Sequence, residues 1–435
     1  MALKEMPEFG ISQAQIVGLL ALSLVAVVVV PNMATGLLGF GFWLFLVSRL
    51  ANWREAVVVS LVFACVLASS REPGLQYWKT LRLFPAGLAG IEALRILRSE
   101  TQAFRRRQFG WLVTILLCTG IPALLSQNAR AGLFETTLLG SIWVILMIVG
   151  TRPSVAGESN RRVWLRRVGM AVIGASVAVT VLRPQVAWLN GRWRGILGNP
   201  NELSHWWLFI FVLVLMTGQM GRRQRVMWFG LTAVLFLMSG TRGALLASLF
   251  GWAGSLLATT SGTLKRVGVF LAAALGVLGV LFIGEDQEDG AIASLLPEEI
   301  IRAETIETAG GRTVAWSHAL EEIKLEPWFG QGGGYEERYF SSRYSFFAMQ
   351  NHQGLSHNSW LAFAMNYGVP AALALIFSLL IRLGMFRQKA VVILLPACVI
   401  SMTVEGWLTA PLNALSPMMF LVAGWFESQA TETTH

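Results

Sequence analysis

Long apolar stretches alternate with short polar or basic ones along most of the chain. These stretches lie near 13–30, 33–49, 55–70, 109–126, 134–150, 166–182, 203–219, 224–240, 243–260, 266–283, 358–384, 389–407 and 411–427. A helix needs roughly 20 mainly apolar residues to cross the hydrocarbon core of a bilayer. Since short stretches can merge in pairs, the pattern predicts an all-α polytopic membrane protein with about 12–14 transmembrane helices.

A weaker, amphipathic stretch at 76–98 carries Lys79, Arg82, Arg95 and Arg98, and either crosses the membrane or lies at its surface. If it crosses, both termini share one side with six basic clusters. By the positive-inside rule that side is the cytoplasm. The clusters are Arg49/Arg54, Arg105-Arg106-Arg107, Arg161 to Arg167, Arg222/Arg223/Arg225, Lys265/Arg266 and Arg387/Lys389.

One polar segment, 284–356, interrupts the apolar pattern and is strongly acidic. It holds 13 of the 25 acidic residues and 5 of the 34 basic ones, a net charge of −8 against +17 for the rest of the chain. This sorting predicts that the segment lies across the membrane from the basic loops, as a lid over a site. The predicted organisation is N-terminal helices in 1–283 with a short outer loop at 183–204, the large loop 284–356, and C-terminal helices in 357–435.

Composition excludes several classes of protein. A mean hydropathy of +0.58 and only 14% charged residues do not fit an ordinary soluble domain. The pI near 10 does not indicate nucleic-acid binding, because the arginine clusters fall at the ends of apolar stretches. All three cysteines lie inside such stretches, so we expect no disulfide framework. No small-residue cleavage site follows the first apolar stretch, so we expect the first span to be retained.

Aspartate occurs only at Asp286 and Asp289, so the sequence offers no other Asp-x-Asp pair for a divalent metal. We therefore expect a mechanism without metal or cofactor. The glycine-rich run within Pro327–Gly334 follows a helical pattern and not a strand, which favours a turn with positive φ over a nucleotide loop.

His357 is the most promising candidate for proton transfer. It stands where the acidic segment re-enters the membrane, and Asn358 and an apolar helix from Ser359 follow it. A neutral imidazole at that point can accept a proton from a sugar hydroxyl, although a helix cap at the interface is an alternative. His205 and His318 are weaker candidates, the first because it adjoins Trp206 and Trp207 and the second because few positions of its helix face a site.

Four arginines break the expectation that outer loops are poor in arginine: Arg192, Arg194, Arg242 and Arg312. A guanidinium fork suits phosphate, and two of them can neutralise a diphosphate without Mg²⁺. Structural alternatives exist for each of them. They are interfacial anchoring around Trp193 for the first two, snorkelling for Arg242 and a salt bridge to a glutamate for Arg312.

These residues fall in motifs that resemble the O-antigen ligase family and its polymerase relatives over about 190–375. The motifs are Gly198-Asn199-Pro200-Asn201, Ser239-Gly240-Thr241-Arg242-Gly243-Ala244-Leu245-Leu246, Gly311-Arg312 with Trp316 and Pro327 to Gly334, and His357-Asn358 with Gly368. One position departs from the family pattern, since Ala371 stands where family members carry Gly, Thr or Tyr.

The resemblance implies a GT-C-like membrane glycosyltransferase of the bacterial inner membrane with a periplasmic active site. It would transfer O-polysaccharide from undecaprenyl diphosphate to a sugar hydroxyl of lipid A–core during lipopolysaccharide biosynthesis, with inversion. His357 would act as general base, and Arg242 and Arg312 would hold the diphosphate. Arg192, Arg194, Asn199 and Asn358 would contact the substrates.

Three alternatives remain at this point. An O-antigen polymerase would use the same donor with a second lipid-linked glycan as acceptor, and the departure at Ala371 leaves room for it. A protein O-oligosaccharyltransferase would use a Ser or Thr acceptor. A flippase or other transporter belongs to a different class, and it should keep charges at mid-membrane, whereas the charges here stand mainly at span ends.

Overall fold

The computed structural model describes residues 13–31, 53–70, 72–126, 129–151, 158–189, 191–216, 222–259, 312–343, 356–382, 397–403, 405–408 and 412–421, with the single positions 34, 39 and 424. At some of these positions, Arg242 and Arg312 among them, only the backbone is described. Most of these ranges are helical, as the alternation of apolar and polar stretches predicts.

Most of the described α-helices lie in the apolar stretches, and others lie in the stretch 76–98, the loop 183–204 and the acidic segment 284–356. The α-helices are α1 (Gln13–Val29), α2 (Trp53–Ser69), α3 (Trp78–Leu81), α4 (Leu83–Ser99), α5 (Gln102–Leu125), α6 (Ala129–Thr151), α7 (Glu158–Leu182), α8 (Pro184–Ala187), α9 (Pro200–Met216), α10 (Arg222–Ser239), α11 (Arg242–Thr259), α12 (Arg312–Leu325), α13 (Tyr335–Arg343), α14 (Ser359–Tyr367) and α15 (Val369–Arg382). Residues 397–403 and 416–421 are also helical.

The fold departs from a purely helical one in the loop 183–204. Two-residue strands β1 (Trp188–Leu189) and β2 (Arg192–Trp193) pair antiparallel there, with Trp188 opposite Trp193. A turn through Gly191, whose φ is 71°, joins them. The prediction of a helical protein is otherwise confirmed, and this hairpin is its one correction in the described chain.

Several described helices have the length or composition of membrane helices. Gln102–Leu125 and Gly132–Thr151 are long and apolar enough to cross a bilayer. Shorter apolar helices occur at Gly18–Val29, Ala56–Ser69, Pro200–Leu215, Val226–Ser239 and Gly243–Ala253. These helices fit a helical membrane protein, while the count of 12–14 spans stays a prediction. The apolar stretches at 33–49 and 266–283 fall almost wholly outside the described residues.

The chain divides into two compact units. The first consists of Met1–Ser99, Leu146–Ile210 and Leu412–Trp425, and the second of Glu100–Ile145, Phe211–Pro411 and Phe426–His435.

In the first unit, α4 packs antiparallel to α2. Arg54, near the start of α2, places Nε 2.6 Å from Oε1 of Glu92 in the middle of α4. Trp78, just before α4, instead meets the ring of Phe63 halfway along α2, with centroids 5.4 Å apart. The stretch 76–98 therefore doubles back along α2, while its crossing of the membrane stays a prediction.

In the second unit, the apolar stretch 358–384 is broken into α14 and α15 at Gly368, whose φ is 84°. The turn from Pro327 to Gly334 docks at this break. The N–H groups of Gln331 and Gly332 donate to the carbonyls of Met365 and Asn366 over 2.8 and 2.9 Å. The sequence did not predict the break, because both sides of it are equally apolar.

The glycines of this turn have the backbone geometry that the sequence predicts. Gly330, Gly332 and Gly334 have φ values of 64°, 100° and 67°, in the region that side chains disfavour. A Cβ atom at Gly330 would lie 2.6 Å from the backbone N of Gly368. The prediction of a turn with positive φ is confirmed. The helix α12, Arg312–Leu325, precedes this turn and carries His318.

Candidate active site

His357 immediately precedes the cap of α14 and has an unusual backbone conformation. Its φ is 51°, and it is the only non-glycine residue with positive φ in the described chain. The next residue, Asn358, caps the helix, because its Oδ1 accepts from the N–H groups of Trp360 and Leu361 over 2.9 and 3.1 Å. Such a φ costs on the order of 1–3 kcal/mol and persists only where the surroundings impose it. The predicted helix start after His357–Asn358 is confirmed.

Glu405 is the side chain that gives His357 its chemical setting. Nδ1 of His357 lies 3.2 Å from Oε2 of Glu405, and the two side chains are only 8% and 12% exposed. A carboxylate at Nδ1 accepts the proton carried there, which leaves the lone pair of the neutral ring on Nε2. The pair therefore has the arrangement of a general base oriented by an acid.

The segment that carries Glu405 is fixed against the start of α14 by hydrogen bonds. Ser359 Oγ donates to the carbonyl of Glu405 over 2.7 Å and accepts from the N–H of Leu408 over 3.2 Å. Trp360 Nε1 donates to Thr403 Oγ1 over 3.2 Å. These contacts on both sides of Glu405 hold the carboxylate beside His357.

Glu405 was missed by sequence reasoning, although a signal existed. It is the only charged residue between Lys389 and Glu427, in the middle of the apolar C-terminal region. An ionisable residue in such a region is by default a candidate functional residue. What the sequence could not supply was its partner, 48 positions away along the chain.

The residue before His357 is held by the acidic segment. Oε1 of Glu336, on α13, accepts from both the N–H and the Oγ–H of Ser356, over 2.7 and 2.6 Å. Nε1 of Trp316, on α12, donates to the Ser356 carbonyl over 3.0 Å. Burial raises the pKa of the Glu336 carboxyl above its usual value, because the charged form loses its hydration.

Arg242 and Arg312 occupy equivalent positions at the start of two helices. Arg242 is the first residue of α11, just after Gly240 with φ of 59°, and Arg312 is the first residue of α12. Both belong to the second unit, as His357 does. Their side chains lie outside the described part of the structure, and Gly311, Asp286 and Asp289 lie outside it entirely. Their grip on one diphosphate stays a prediction.

The remaining predicted site residues lie in the first unit. Arg192 Nη2 donates to Asn201 Oδ1 over 2.8 Å. Arg194 is buried, and its Nε donates to the carbonyl of Val186 over 2.8 Å. Asn199 Oδ1 caps α9 by accepting from the N–H of Glu202 over 3.0 Å. These bonds shape the loop, and the predicted substrate contacts of all three residues stay predictions.

The two weaker histidine candidates make local contacts. Nδ1 of His205, a buried residue, lies 2.8 Å from the carbonyl oxygen of Asn201 one turn earlier in its own helix. Nδ1 of His318 lies 3.4 Å from Oε2 of Glu321, three residues later on α12. The His318 contact also joins Nδ1 to a carboxylate, but its side chains are 28% and 66% exposed, whereas the His357–Glu405 pair is buried.

A metal centre is not formed by the part of the chain that the structure describes. No group of three or more His, Cys, Asp or Glu side chains converges there. The acidic run with Asp286 and Asp289 falls outside those residues, so the expected metal independence stays a prediction.

Comparison with known proteins agrees with the motifs. Residues 226–376 match the family model described as O-antigen ligase. This range runs from α10 into α15 and contains Arg242, Arg312, Glu336 and His357, whereas Glu405 lies beyond it. Comparison with curated proteins and comparison with solved structures each find no match.

The family match supports a class of protein. That class is a membrane-associated glycosyltransferase of the O-antigen ligase and polymerase type, with lipid-linked polysaccharides as the general class of substrate. The resemblance to the O-antigen ligase family is thereby confirmed over residues 226–376, about a third of the chain.

Proposed function

We propose that the protein is an O-antigen ligase. It transfers O-polysaccharide from undecaprenyl diphosphate to a sugar hydroxyl of lipid A–core at the periplasmic face of the bacterial inner membrane. The observation that carries the proposal is the His357–Glu405 pair, with 3.2 Å between Nδ1 and Oε2. A base oriented by a carboxylate is what activation of a sugar hydroxyl requires.

In the proposed reaction His357 Nε2 takes the proton of the acceptor hydroxyl as its oxygen attacks the anomeric carbon of the donor. The new glycosidic C–O bond forms while the bond from that carbon to the diphosphate oxygen breaks. The electron pair leaves with undecaprenyl diphosphate, and one displacement inverts the anomeric centre. Glu405 stabilises the imidazolium that results.

The leaving diphosphate needs positive charge, which Arg242 and Arg312 supply in this proposal. Two guanidinium forks can neutralise the charge that develops as the bond breaks, without a metal ion. Arg192 and Arg194 support the phosphates or the core sugars, and Asn199 and Asn358 contact the substrates.

An O-antigen polymerase is the second candidate, because Ala371 departs from the ligase pattern. It would keep the same donor, the same base and the same arginines, and would replace lipid A–core by a second lipid-linked glycan. A protein O-oligosaccharyltransferase with a Ser or Thr acceptor shares this chemistry too. A flippase fits less well, because a transporter should keep charges at mid-membrane, whereas the charges of this chain stand mainly at the ends of its predicted spans.

The lipopolysaccharide of a deletion strain tests the proposal. A ligase deletion loses polymer on the core while lipid-linked polymer accumulates, and the wild-type gene restores the ladder whereas His357→Ala does not. Cores capped with a single repeat would instead identify a polymerase. A normal ladder would exclude both.

A further inference from the structure

The mechanism leaves one buried acid of the site without a role, Glu336 on α13. Its side chain is described and its residue is only 3% exposed, yet it belongs to the acidic segment predicted to cover the site. Burying a carboxyl group is unfavourable unless hydrogen bonds satisfy it. Here one oxygen, Oε1, accepts both donors of a single residue, Ser356.

Ser356 is also the residue directly before His357, so its position bears on the backbone conformation of His357. The Ser356 carbonyl accepts from Trp316 Nε1, so its peptide groups are held by α12 on one side and by α13 on the other. The helix α13 is itself fixed. The N–H of Glu336 donates to Asn366 Oδ1 near the end of α14 over 3.0 Å, and Tyr335 Oη donates to Glu322 Oε2 of α12 over 2.7 Å.

The strained φ of His357 needs such support. A left-handed conformation at a non-glycine residue relaxes unless its neighbours are fixed on both sides. Asn358 fixes the C-terminal side by capping α14, and the hydrogen bonds to Ser356 fix the N-terminal side. A relaxed backbone would carry the imidazole away from Glu405.

From this geometry we infer that Glu336 is a positioning residue, which holds Ser356 so that His357 keeps its strained backbone and its contact with Glu405. Through Glu336, the described part of the acidic segment thus helps to hold His357 in position. The inference deepens the proposed function and rests on it for the role of His357 as base.

The Glu336 variants separate positioning from charge. Glu336→Ala removes the acceptor, so kcat for transfer should fall by roughly 10- to 100-fold, with KM for the lipid-linked donor within about twofold of wild type. Glu336→Gln keeps a carbonyl oxygen that accepts both Ser356 donors, and its kcat should stay within about threefold. Ser356→Ala keeps only the N–H donor, and its kcat should lie between those of Glu336→Ala and Glu336→Gln. Glu337→Ala, which changes the exposed neighbouring acid, is the matched control and should behave as wild type.

Rates are measured per folded protein, with the monodisperse fraction from size-exclusion chromatography as the denominator. Two results would overturn the inference. The first is a normal kcat for Glu336→Ala per folded protein, which would leave Glu336 only a role in folding. The second is a kcat for Glu336→Gln as low as that for Glu336→Ala. A rise in KM without loss of kcat would also contradict positioning.

A cryo-EM structure of each variant gives a readout that does not depend on activity. In Glu336→Ala, the distance from His357 Nδ1 to Glu405 Oε2 should exceed hydrogen-bonding range, and Glu336→Gln should keep it. An unchanged pair in Glu336→Ala overturns the inference even if no transfer is seen with any substrate. A different outcome would refute only the proposed function. In it, His357→Ala stays active, and His357 and Glu405 move apart in Glu336→Ala.

Discussion

At the residue scale, the chemistry depends on how an ordinary histidine is placed. The His357 ring is almost fully buried, its backbone is strained, and a carboxylate faces its Nδ1. The backbone and the burial restrict the direction of the ring, and the carboxylate favours the tautomer with its proton on Nδ1. In the proposed reaction, a base held in this way needs no reorganisation when the acceptor hydroxyl arrives.

Replacing the base should abolish transfer. We expect His357→Ala to lose about 10²- to 10⁴-fold in rate, and His357→Gln to be nearly as slow, since an amide cannot take the proton. The rate is measured with purified lipid-linked donor and lipid A–core, with His318→Ala as control. More than roughly a tenth of wild-type transfer in His357→Ala would contradict the assignment.

Glu405 offers a separate test of the pair. Glu405→Gln keeps a hydrogen-bond acceptor for Nδ1–H but removes the negative charge that stabilises the imidazolium. We expect kcat to fall by up to about 10⁴-fold, with less effect on KM. A normal kcat in Glu405→Gln would show that the carboxylate serves only the packing of residues 405–408 against α14.

The two arginines at helix starts should act as one unit. If both grip one diphosphate through their forks, Arg242→Lys and Arg312→Lys should each be strongly impaired, since an ammonium lacks the paired donors. The double variant should lose less than the product of the single effects. Arg98→Lys, at an exposed position of α4, is the control. Near-normal transfer by both single variants would place the diphosphate elsewhere, with Arg192 and Arg194 the next candidates.

At the scale of elements, the site depends on the break between α14 and α15. The turn from Pro327 to Gly334 fits against Gly368 so closely that a Cβ atom there would lie 2.3 Å from the carbonyl oxygen of Trp328. The backbone contacts of this turn set where α13 begins, and thus where Glu336 meets Ser356. The break is therefore part of the support of the site.

Gly368→Ala should destabilise the second unit. It combines a φ of 84° with a backbone clash, so we expect a loss of more than about 1 kcal/mol and reduced transfer. Thermal unfolding in detergent measures the loss. Gly120→Ala, at a helical position in α5 with nothing within 4 Å of the added Cβ, is the matched control. Equal melting temperatures for the two variants would show that the turn adapts.

At the scale of the whole molecule, the charge distribution is the basis of both the predicted orientation and the proposed mechanism. Acidic residues concentrate in 284–356, and basic residues flank the apolar helices. With aspartate confined to Asp286 and Asp289, the arginines remain the available source of positive charge for a diphosphate.

Transfer should therefore proceed at full rate in EDTA. The measurement is the initial rate with purified donor before and after chelation, with a metal-dependent glycosyltransferase as a control for effective chelation. Loss of activity that Mg²⁺ or Mn²⁺ restores would contradict the arginine mechanism and direct attention to Asp286 and Asp289.

The sequence by itself determined the features that depend on local physics. Hydropathy predicts the helices because each must satisfy its backbone and bury its apolar residues regardless of its neighbours. Glycine spacing predicts the turn at Pro327–Gly334, and the polar-to-apolar switch predicts a helix start after Asn358. His357 is therefore identifiable from the sequence, as a chemically suitable residue at such a start.

Only the tertiary structure decided which acids serve that histidine. Glu405 lies 48 positions from His357, and Glu336 lies 20 positions from Ser356, distances at which no local pattern operates. The sequence marks Glu405 as a lone charge in an apolar region, but among 25 acidic residues it pairs neither Glu405 nor Glu336 with its partner. Packing of residues 405–408 and of α13 against α14 brings them to the site, because hydrogen bonds from Ser359 and to Asn366 fix those segments there.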